Sequence, residues 1–242
     1  MQHILLITGG SKGIGKALAK KYLDKGFQVF SISRTFCDLE GTTNIQGNLA
    51  ETQEIPAYFE KVLTYIDLEK ISSFTLINNA GSLGTIGNIE KNTPTNISQT
   101  VNINLTAPLI LSLLFIKKLQ VYSFSKKIIS ISSGAAIKPY PGWSSYCSTK
   151  AGLDMMTKTI AEEQKPLAHG VKLTAIYPGV VETAMQKKIR ATSKKDFKNV
   201  QRFIDLKENN ELYTPDYVAN KIYELDINNI LENGDVIDIR KI

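Results

Sequence analysis

A serine, a tyrosine and a lysine in the middle of the chain are spaced so that they could protonate a carbonyl oxygen. Twelve residues separate Ser133 from Tyr146, and Lys150 follows Tyr146 by one turn of a predicted helix. A phenol ordinarily loses its proton near pH ~10, and a neighbouring ammonium lowers that pKa. Tyr146 could then donate a proton while hydride reaches the carbon and Ser133 hydrogen-bonds the oxygen. Each residue alone is typical of packing, a turn or a solvated surface, so the joint spacing carries the hypothesis.

A glycine-rich turn near the N-terminus could hold the phosphates of a hydride donor. Residues 8–15 read Thr-Gly-Gly-Ser-Lys-Gly-Ile-Gly and join a buried apolar run to a helical segment. Glycine allows a pyrophosphate to approach the backbone, and the start of a helix offers free N–H groups. The pattern is TGxxxGxG, because Leu18 stands where the common GxGxxG motif has its third glycine. We expect dinucleotide contacts from Gly9, Ser11, Lys12, Gly13, Ile14 and Gly15.

The end of the second predicted strand indicates which dinucleotide binds. NAD-binding proteins usually carry an acidic residue there, which holds the ribose 2′-hydroxyl. Residues 31–35 read Ser-Ile-Ser-Arg-Thr, and the first acid is Asp38. Arg34 could hold a 2′-phosphate in a bidentate manner, with Ser33 as a hydrogen-bond donor and Lys12 as a second cation. The alternative is that both cations belong to an ordinary exposed surface. We expect NADP(H) as the cofactor.

Short apolar runs alternate with segments of helical period, which is typical of βαβ units. Strands are predicted at 4–8, 28–33, 43–46, 73–77, 127–132, 172–177 and 235–240, and helices at 15–25, 52–65, 96–122, 145–169, 184–209 and 215–225. We predict one α/β domain over residues 1–242, a doubly wound Rossmann fold whose parallel seven-stranded sheet has helices on both faces. Ligands should bind beyond the carboxyl ends of the strands.

The composition narrows the class of protein. The chain has 242 residues, 43% of them hydrophobic, and a net charge of +6 that is concentrated at 186–207. We interpret these cations as a solvated helical face and expect no nucleic-acid partner. The first apolar run, 4–7, is too short for a signal or a membrane span, and we expect no other stretch to reach spanning length. Two distant cysteines and two histidines favour a cytoplasmic protein without a metal site.

Motifs along the whole chain resemble those of the short-chain dehydrogenase/reductase family. Residues 78–81 match its NNAG motif, and 178–183 match its PGxxxT segment. The resemblance implies cofactor contacts from Asn79, Ala80, Gly81, Pro178, Gly179, Val181 and Thr183, together with Tyr146 and Lys150. It also implies that Asn104 holds a water in a proton relay through Lys150, with Asn102 as the competing choice. Asn48 and Leu49 stand where the family often has an aspartate and a hydrophobic residue beside the adenine.

Residues 133–136, 142–155 and 193–197 are similar to the sepiapterin-reductase-like branch of the family, and within it to bacterial reductases of benzil-type 1,2-diketones. The resemblance implies an NADPH-dependent carbonyl reductase that converts one carbonyl of a ketone or 1,2-diketone to a hydroxyl. Aromatic and thioether side chains suit a bulky apolar substrate, so contacts are expected from Ser133, Tyr140, Trp143, Tyr146 and Met185. The alternatives are a polyol, sugar-alcohol or pterin oxidoreductase, or a non-catalytic NADPH-binding protein.

Two further expectations concern segments around the site. The polar segment 184–212 could form a lid over the substrate, or a rigid pair of surface helices. The predicted helix at 96–122 is apolar nearly all round at 109–116, which suggests burial against a partner subunit. Related enzymes form dimers or tetramers through this helix and the one that carries Tyr146, so a homodimer or homotetramer is expected.

Overall fold

The computed structural model describes residues 2–242, which form an α/β domain around a parallel seven-stranded sheet. The strand order is β3-β2-β1-β4-β5-β6-β7. The order reverses beside β1, and ligands bind at such a switch point in open parallel sheets. The predicted fold class is confirmed. The strands are β1 (Gln2–Thr8), β2 (Gln28–Ser33), β3 (Thr42–Gln46), β4 (Ile71–Asn78), β5 (Ser125–Ile131), β6 (Lys172–Tyr177) and β7 (Val236–Asp238).

Helices cover both faces of the sheet because alternate strand residues are apolar toward both sides. In β1, Ile4 and Leu6 pack into one core with α2 and α4, whereas Leu5 and Ile7 pack into the other with α1 and α8. Both faces are therefore closed to water, as a parallel sheet requires. The helices are α1 (Gly13–Leu23), α2 (Ile55–Leu63), α3 (Pro94–Val101), α4 (Ala107–Leu119), α5 (Ser144–Gln164), α6 (Ala184–Arg190), α7 (Val200–Glu208) and α8 (Pro215–Ile227).

The helix predicted at 96–122 is one continuous helix with a π-helical turn. The turn, Asn102–Thr106, joins α3 to α4, and the whole helix spans 26 residues, Pro94–Leu119. By length and composition it could cross a membrane, so the expectation that no segment reaches spanning length is wrong. Its inward face, with Leu111, Phe115 and Leu119, is fully buried against the sheet. It is therefore a core helix of the domain.

Two other predicted elements differ from the structure. The helix predicted at 184–209 is two helices, α6 and α7, because residues 191–199 form turns. There the Ser193 hydroxyl donates to Asp196 at 2.7 Å and accepts from its N–H at 3.2 Å, a local pairing that competes with helical hydrogen bonds. The last strand ends early at Asp238, whose carboxylate accepts from the Arg240 N–H at 3.1 Å and caps a 3₁₀ turn, Ile239–Lys241.

Candidate active site

One cleft of about 1180 Å³ gathers nearly all of the predicted site residues. It lies at the carboxyl ends of the strands, where the sheet order reverses. Every candidate cofactor, catalytic and substrate residue named above lines it except Asn104 and its competitor Asn102, among the residues that the structure describes. The topology therefore brings three distant parts of the chain to one place: the glycine turn, the Ser133 strand end and the Tyr146 helix.

The glycine turn fits the phosphates of a dinucleotide. Gly13 has φ +55° and begins α1, whose first N–H groups have no side-chain cap over residues 2–242 and no acidic residue in the first turn. These donors and the helix dipole favour an anion. The packing also requires glycine, because a Cβ at Gly15 would lie 2.2 Å from the Gly9 carbonyl oxygen.

The motif after β4 holds this turn in place. Asn79 donates through its side-chain amide to the carbonyl oxygens of Thr8, at 2.9 Å, and Gly9, at 3.2 Å. The Thr8 hydroxyl accepts from the N–H groups of Asn79 and Ala80, both at 3.0 Å. Thr8 thus joins the glycine turn to the motif after β4, a role that we did not predict from the sequence. Asn79 acts on the backbone of the turn and also lines the cleft.

The end of β2 presents cations to the cleft. Arg34 and Lys12 are exposed and both line it. The Ser11 and Thr35 hydroxyls are 2.8 Å apart, which ties the glycine turn to the segment that follows β2. Asp38 pairs with Lys16 at 2.5 Å and is absent from the cleft lining, as far as residues 2–242 are concerned. The acid nearest to β2 is therefore directed to a lysine rather than to the nucleotide end of the cleft.

Asn48 and Leu49 also line the nucleotide end of the cleft. The side-chain oxygen of Asn48 accepts from the Ala50 N–H at 3.2 Å, and Leu49 is buried. This side-chain oxygen of Asn48 has a second lone pair that could accept a hydrogen bond from a ligand.

Tyr146 and Lys150 lie one turn apart on α5 and both face the cleft. Their exposed fractions are 8% and 4%, so the two polar groups are held inside the protein. The Lys150 Nζ donates to the Ile131 carbonyl oxygen at 2.7 Å and lies 5.8 Å from the centroid of the Tyr146 ring. Ser133 follows β5 and lines the same cleft, and its hydroxyl acts to lower the pKa of Tyr146. The predicted constellation is therefore one cluster.

The protein's own groups do not produce the expected acidification of the phenol. Burial raises the pKa of Tyr146, and the Ser133 hydroxyl acts to lower it. Burial also lowers the pKa of Lys150 to about 8, against an opposing effect of Asp154. Lys150 donates to a carbonyl oxygen, and desolvation dominates both groups. The expectation of a lowered phenol pKa is wrong for the protein by itself.

Asn104 lies behind the cleft wall. Its amide group pairs with the Ser82 backbone, accepting from the N–H and donating to the C=O, both at 2.8 Å. Its second N–H donates to Thr149 at 3.0 Å. A Cβ at Gly81 would be 3.7 Å from the Asn104 side-chain oxygen and 3.8 Å from the Lys150 Nζ, so both groups lie beside Gly81. The competing Asn102 instead donates to the Ala50 carbonyl at 3.0 Å. Of the two asparagines, Asn104 is therefore the one beside Lys150. Both N–H groups of the Asn104 side chain are already hydrogen-bonded within the protein.

Asp154 also belongs to the site, although we did not predict it. It is buried one turn beyond Lys150 on α5 and accepts from Ser132 at 2.5 Å and from the Tyr177 hydroxyl. Ser132 precedes Ser133, and Tyr177 precedes Pro178. Asp154 therefore joins α5 to the ends of β5 and β6, and its charge favours the ammonium form of Lys150. A Lys-x3-Asp spacing on a buried helix face could have indicated it.

The substitution Asp154→Asn should move the alkaline limit of activity to lower pH. Lys150, with a pKa of about 8, loses its proton as the pH rises, and the Asp154 carboxylate opposes that loss. Without this charge the pKa of Lys150 falls, so activity should decline at a lower pH than in the unaltered protein. The measurement is kcat/KM against pH, with the exposed Glu163→Gln on the same helix as the control. Superimposable profiles for all three proteins would refute this role of Asp154.

The substrate end of the cleft is lined by Tyr140, Trp143 and Met185. Trp143 is 5% exposed, stacks on Phe197 with ring centroids 4.5 Å apart, and packs on Phe203 at 5.5 Å. Both phenylalanines belong to segment 184–212. Trp143 therefore anchors this segment as well as lining the cleft, and its expected role as a substrate contact stays a prediction.

Segment 184–212 is also tied to the rest of the domain by polar contacts. The Lys188 Nζ donates to the Gly84 carbonyl at 3.0 Å, and Lys91 pairs with Asp196. The Arg202 guanidinium donates to the Tyr140 hydroxyl at 2.9 Å. The two helices thus lie over the substrate end of the cleft and are held there by apolar packing and by contacts to distant parts of the chain.

The C-terminal segment adds two residues to the cleft that the sequence did not indicate. Asp238 and Arg240 line it and form an ion pair with each other. In the longer last strand that we predicted, Asp238 and Arg240 would lie on one face of the sheet and Ile239 on the other. The 3₁₀ turn after Asp238 brings them to the cleft instead.

A Rossmann domain with a glycine turn, a serine and a buried Tyr-Lys pair in one cleft defines a class of nucleotide-dependent oxidoreductases. The family model described as short chain dehydrogenase matches residues 3–194, most of the chain. The protein belongs to the short-chain dehydrogenase/reductase family, as its motifs predicted.

Curated relatives and solved structures agree with this assignment. The benzil reductase ((S)-benzoin forming) of Bacillus subtilis is 41% identical over 241 residues, which cover 99% of each chain. The sepiapterin reductase of Xenopus laevis is 26% identical over 97% of this chain and 94% of its own. Among solved structures, KRED1-Pglu superimposes with a TM-score of 0.85 at 26% identity, over 98% of this chain and 100% of its own. ElxO with NADP bound has a TM-score of 0.77 at 26% identity, over 99% and 97%. The protein is a carbonyl reductase of this family that uses a nicotinamide cofactor.

Proposed function

We propose that the protein uses NADPH to reduce one carbonyl of a ketone or benzil-type 1,2-diketone to a hydroxy ketone. The observation that carries the proposal is that Ser133 and the buried Tyr146 and Lys150 line one cleft with the glycine turn. The full-length similarity to a benzil reductase supports the class of substrate. A protein that merely bound the cofactor would have no use for a proton donor beside it.

The preference for NADPH is supported by charge at the nucleotide end of the cleft. Arg34 and Lys12 line that end, whereas Asp38 is paired with Lys16. A carboxylate facing the ribose would repel a 2′-phosphate, and a guanidinium would bind it through two parallel hydrogen bonds. The other cofactor contacts proposed are the backbone of the glycine turn, Asn48, residues 79–81 and residues 178–183.

The proposed reaction needs a hydride and a proton at the same carbonyl group. Reduced nicotinamide, when bound, supplies the hydride to the carbonyl carbon. The Tyr146 hydroxyl donates its proton to the carbonyl oxygen, and the Ser133 hydroxyl stabilises the negative charge that develops there. The Lys150 ammonium would stabilise the phenolate that remains, against the burial that raises the pKa of Tyr146, and would hold the ribose hydroxyls of the cofactor. Asn104 is hydrogen-bonded to the Ser82 backbone beside Lys150, and its proposed role is to support a proton relay through Lys150.

The walls of the substrate end suit a flat apolar molecule. Tyr140 and Trp143 lie with ring centroids 5.0 Å apart, and Met185 lines the same region. Helices α6 and α7 lie over it, so segment 184–212 would act as a lid that excludes water from the reacting carbonyl. Aromatic side chains and a thioether bind such rings through offset or edge contacts. This lining favours aromatic ketones over polyols and sugars, which need several fixed polar partners.

The experiment that tests the proposal follows NADPH absorbance with benzil as substrate. We expect steady oxidation of NADPH and accumulation of benzoin, with slower turnover of xylulose and of sepiapterin. Faster turnover of the sugar or of the pterin would identify one of the alternative oxidoreductases. A protein that binds NADPH but turns over none of the three would support the non-catalytic alternative.

We propose that the protein assembles as a homodimer or homotetramer through α4 and α5. Leu109, Leu113 and Met155 on these helices are exposed, Leu113 by 60%. Apolar side chains of this size on adjoining helices favour burial against a second copy. Light scattering should give a mass of two or four chains, and a monomer at micromolar concentration would contradict the proposal.

We also propose a cytoplasmic location and no nucleic-acid partner. Cys37 and Cys147 are both free thiols, as is typical of a reducing compartment. Several cations of the basic segment are already engaged within the protein. Glu182 pairs with Arg190 at 2.8 Å and with Lys207 at 3.0 Å, and these contacts give the charges a structural role.

A further inference from the structure

The C-terminal segment places an arginine beside the reacting cluster. The Arg240 side chain lies against Gly179, where a Cβ would be 3.4 Å from its Cδ. Its Nη2 is 3.9 Å from the position of a Cβ at Gly134, the residue that follows Ser133. The guanidinium therefore reaches the cleft between the Ser133 strand end and the segment that begins at Pro178.

The arginine is held in position by its neighbour in the same turn. The Arg240 Nε donates to the Asp238 carboxylate at 2.8 Å, and its Nη2 donates to the second carboxylate oxygen. The pairing lowers the pKa of Asp238, so the carboxylate is charged at neutral pH. This fork-to-fork geometry fixes the plane of the guanidinium and leaves the Nη1 hydrogens free of Asp238.

The ion pair decides which kind of oxygen the arginine can recognise. Asp238 cancels the net charge of Arg240, so the pair attracts an additional carboxylate weakly. The remaining N–H groups still donate hydrogen bonds to a neutral acceptor such as a carbonyl oxygen. Arg240 is 43% exposed at its side chain, which leaves room for such an acceptor on the cleft side.

We infer that Arg240, positioned by Asp238, binds the second carbonyl oxygen of a neutral dicarbonyl substrate while Ser133 and Tyr146 bind the first. This inference rests on the proposed function and adds a determinant of specificity to it. The ion pair would favour diketones over monoketones, because a monoketone leaves the arginine without an acceptor. It would also disfavour 2-oxo acids, because the charge of Asp238 repels their carboxylate.

The substitution Arg240→Met tests this with two molecules of the same shape. Benzil has two carbonyls between its phenyl rings, whereas deoxybenzoin has one carbonyl and one methylene. We expect the KM for benzil to rise about 10-fold or more, as for the loss of a hydrogen bond to a charged donor, while the Ki of deoxybenzoin stays within about 2-fold. Arg240→Lys should restore part of the affinity for benzil.

The second arm of the experiment changes Asp238 and uses an anionic probe. Asp238→Asn leaves the charge of Arg240 uncancelled, so benzoylformate should bind more tightly than to the unaltered protein. The control is Lys241→Met, which removes a neighbouring exposed cation outside the cleft lining among residues 2–242. It should change neither the preference for benzil over deoxybenzoin nor the affinity for benzoylformate. NADPH affinity and thermal unfolding of each variant separate a change in substrate binding from a loss of structure.

The outcomes distinguish this inference from the proposed function. The ratio of the benzil KM to the deoxybenzoin Ki is compared between Arg240→Met and the unaltered protein. If the unaltered protein reduces benzil and the two ratios are equal, the assignment of Arg240 is wrong and the proposed function stands. An equal loss of affinity for both molecules likewise overturns it, because Arg240 would then be supporting the cleft wall. If the unaltered protein does not reduce benzil at all, both proposals fail.

Discussion

Tyr146→Phe should lose about 10²–10⁴-fold in kcat with benzil and keep its affinity for NADPH, because it removes the proposed proton donor and retains the ring. Tyr146 is 8% exposed in the cleft that Ser133 also lines, so solvent has little access to its side chain. The ring itself packs against Trp143, with centroids 5.7 Å apart, and that contact survives in phenylalanine. The measurements are single-turnover oxidation of NADPH and a fluorescence titration of the cofactor.

Tyr65→Phe is a matched control, since this tyrosine is 52% exposed and lies outside the cleft lining of residues 2–242. It should leave both the rate and the affinity unchanged. Wild-type turnover by Tyr146→Phe would assign proton donation to another group. Loss of NADPH binding together with the rate would instead give Tyr146 a part in holding the cofactor.

Arg34→Ala should weaken NADPH binding by about 10–100-fold and leave NADH binding nearly unchanged. A hydrogen bond to a charged group contributes about 1.5–3 kcal/mol, and about 1.4 kcal/mol corresponds to a factor of ten. Arg34 is exposed at the end of β2 and lines the nucleotide end of the cleft, so its loss should create no cavity in the core. Binding of both cofactors is measured by titration at one fixed salt concentration, because exposed charges are screened by salt.

Two further variants sharpen this result. Arg34→Lys keeps the charge and loses the bidentate geometry, so it should fall between the unaltered protein and Arg34→Ala. Lys25→Ala removes an exposed cation outside the cleft lining, over the range 2–242, and should change neither affinity. Equal weakening of NADPH and NADH by Arg34→Ala would place the arginine on a phosphate that both cofactors share, and the preference for NADPH would then need another origin.

The sequence determined the fold because its local signals agree with one another. Apolar strand segments bounded by turns, glycines at the first strand-to-helix junction and alternating helices each predict a parallel sheet, and the sheet formed has seven strands. The same signals fixed which side chains meet. Ser133 closely follows β5, Tyr146 and Lys150 share one face of α5, and the carboxyl ends of parallel strands lie at one edge. Spacing and topology therefore sufficed to place these three in one cleft.

Elements decided by short-range hydrogen bonds or by the last few residues were harder to predict. Ser193 and Asp196 pair locally and divide a predicted helix, and Asp238 ends a strand by capping a turn. In each case a polar side chain competes with the backbone ladder, and the balance depends on neighbours distant in sequence.

The tertiary structure alone decided the electrostatics of the site. The sequence shows an ammonium one turn from a phenol, and from that pair we predicted an acidic tyrosine. Burial raises the pKa of Tyr146 and lowers that of Lys150. For each group, the free-energy cost of removing its charged form from water is larger than the stabilisation that neighbouring groups provide. Desolvation depends on how completely the surrounding chain encloses a group, and the spacing of residues does not encode that. The same holds for Asp154 and Arg240, whose roles come from strand ends and a C-terminal turn that meet only in the folded protein.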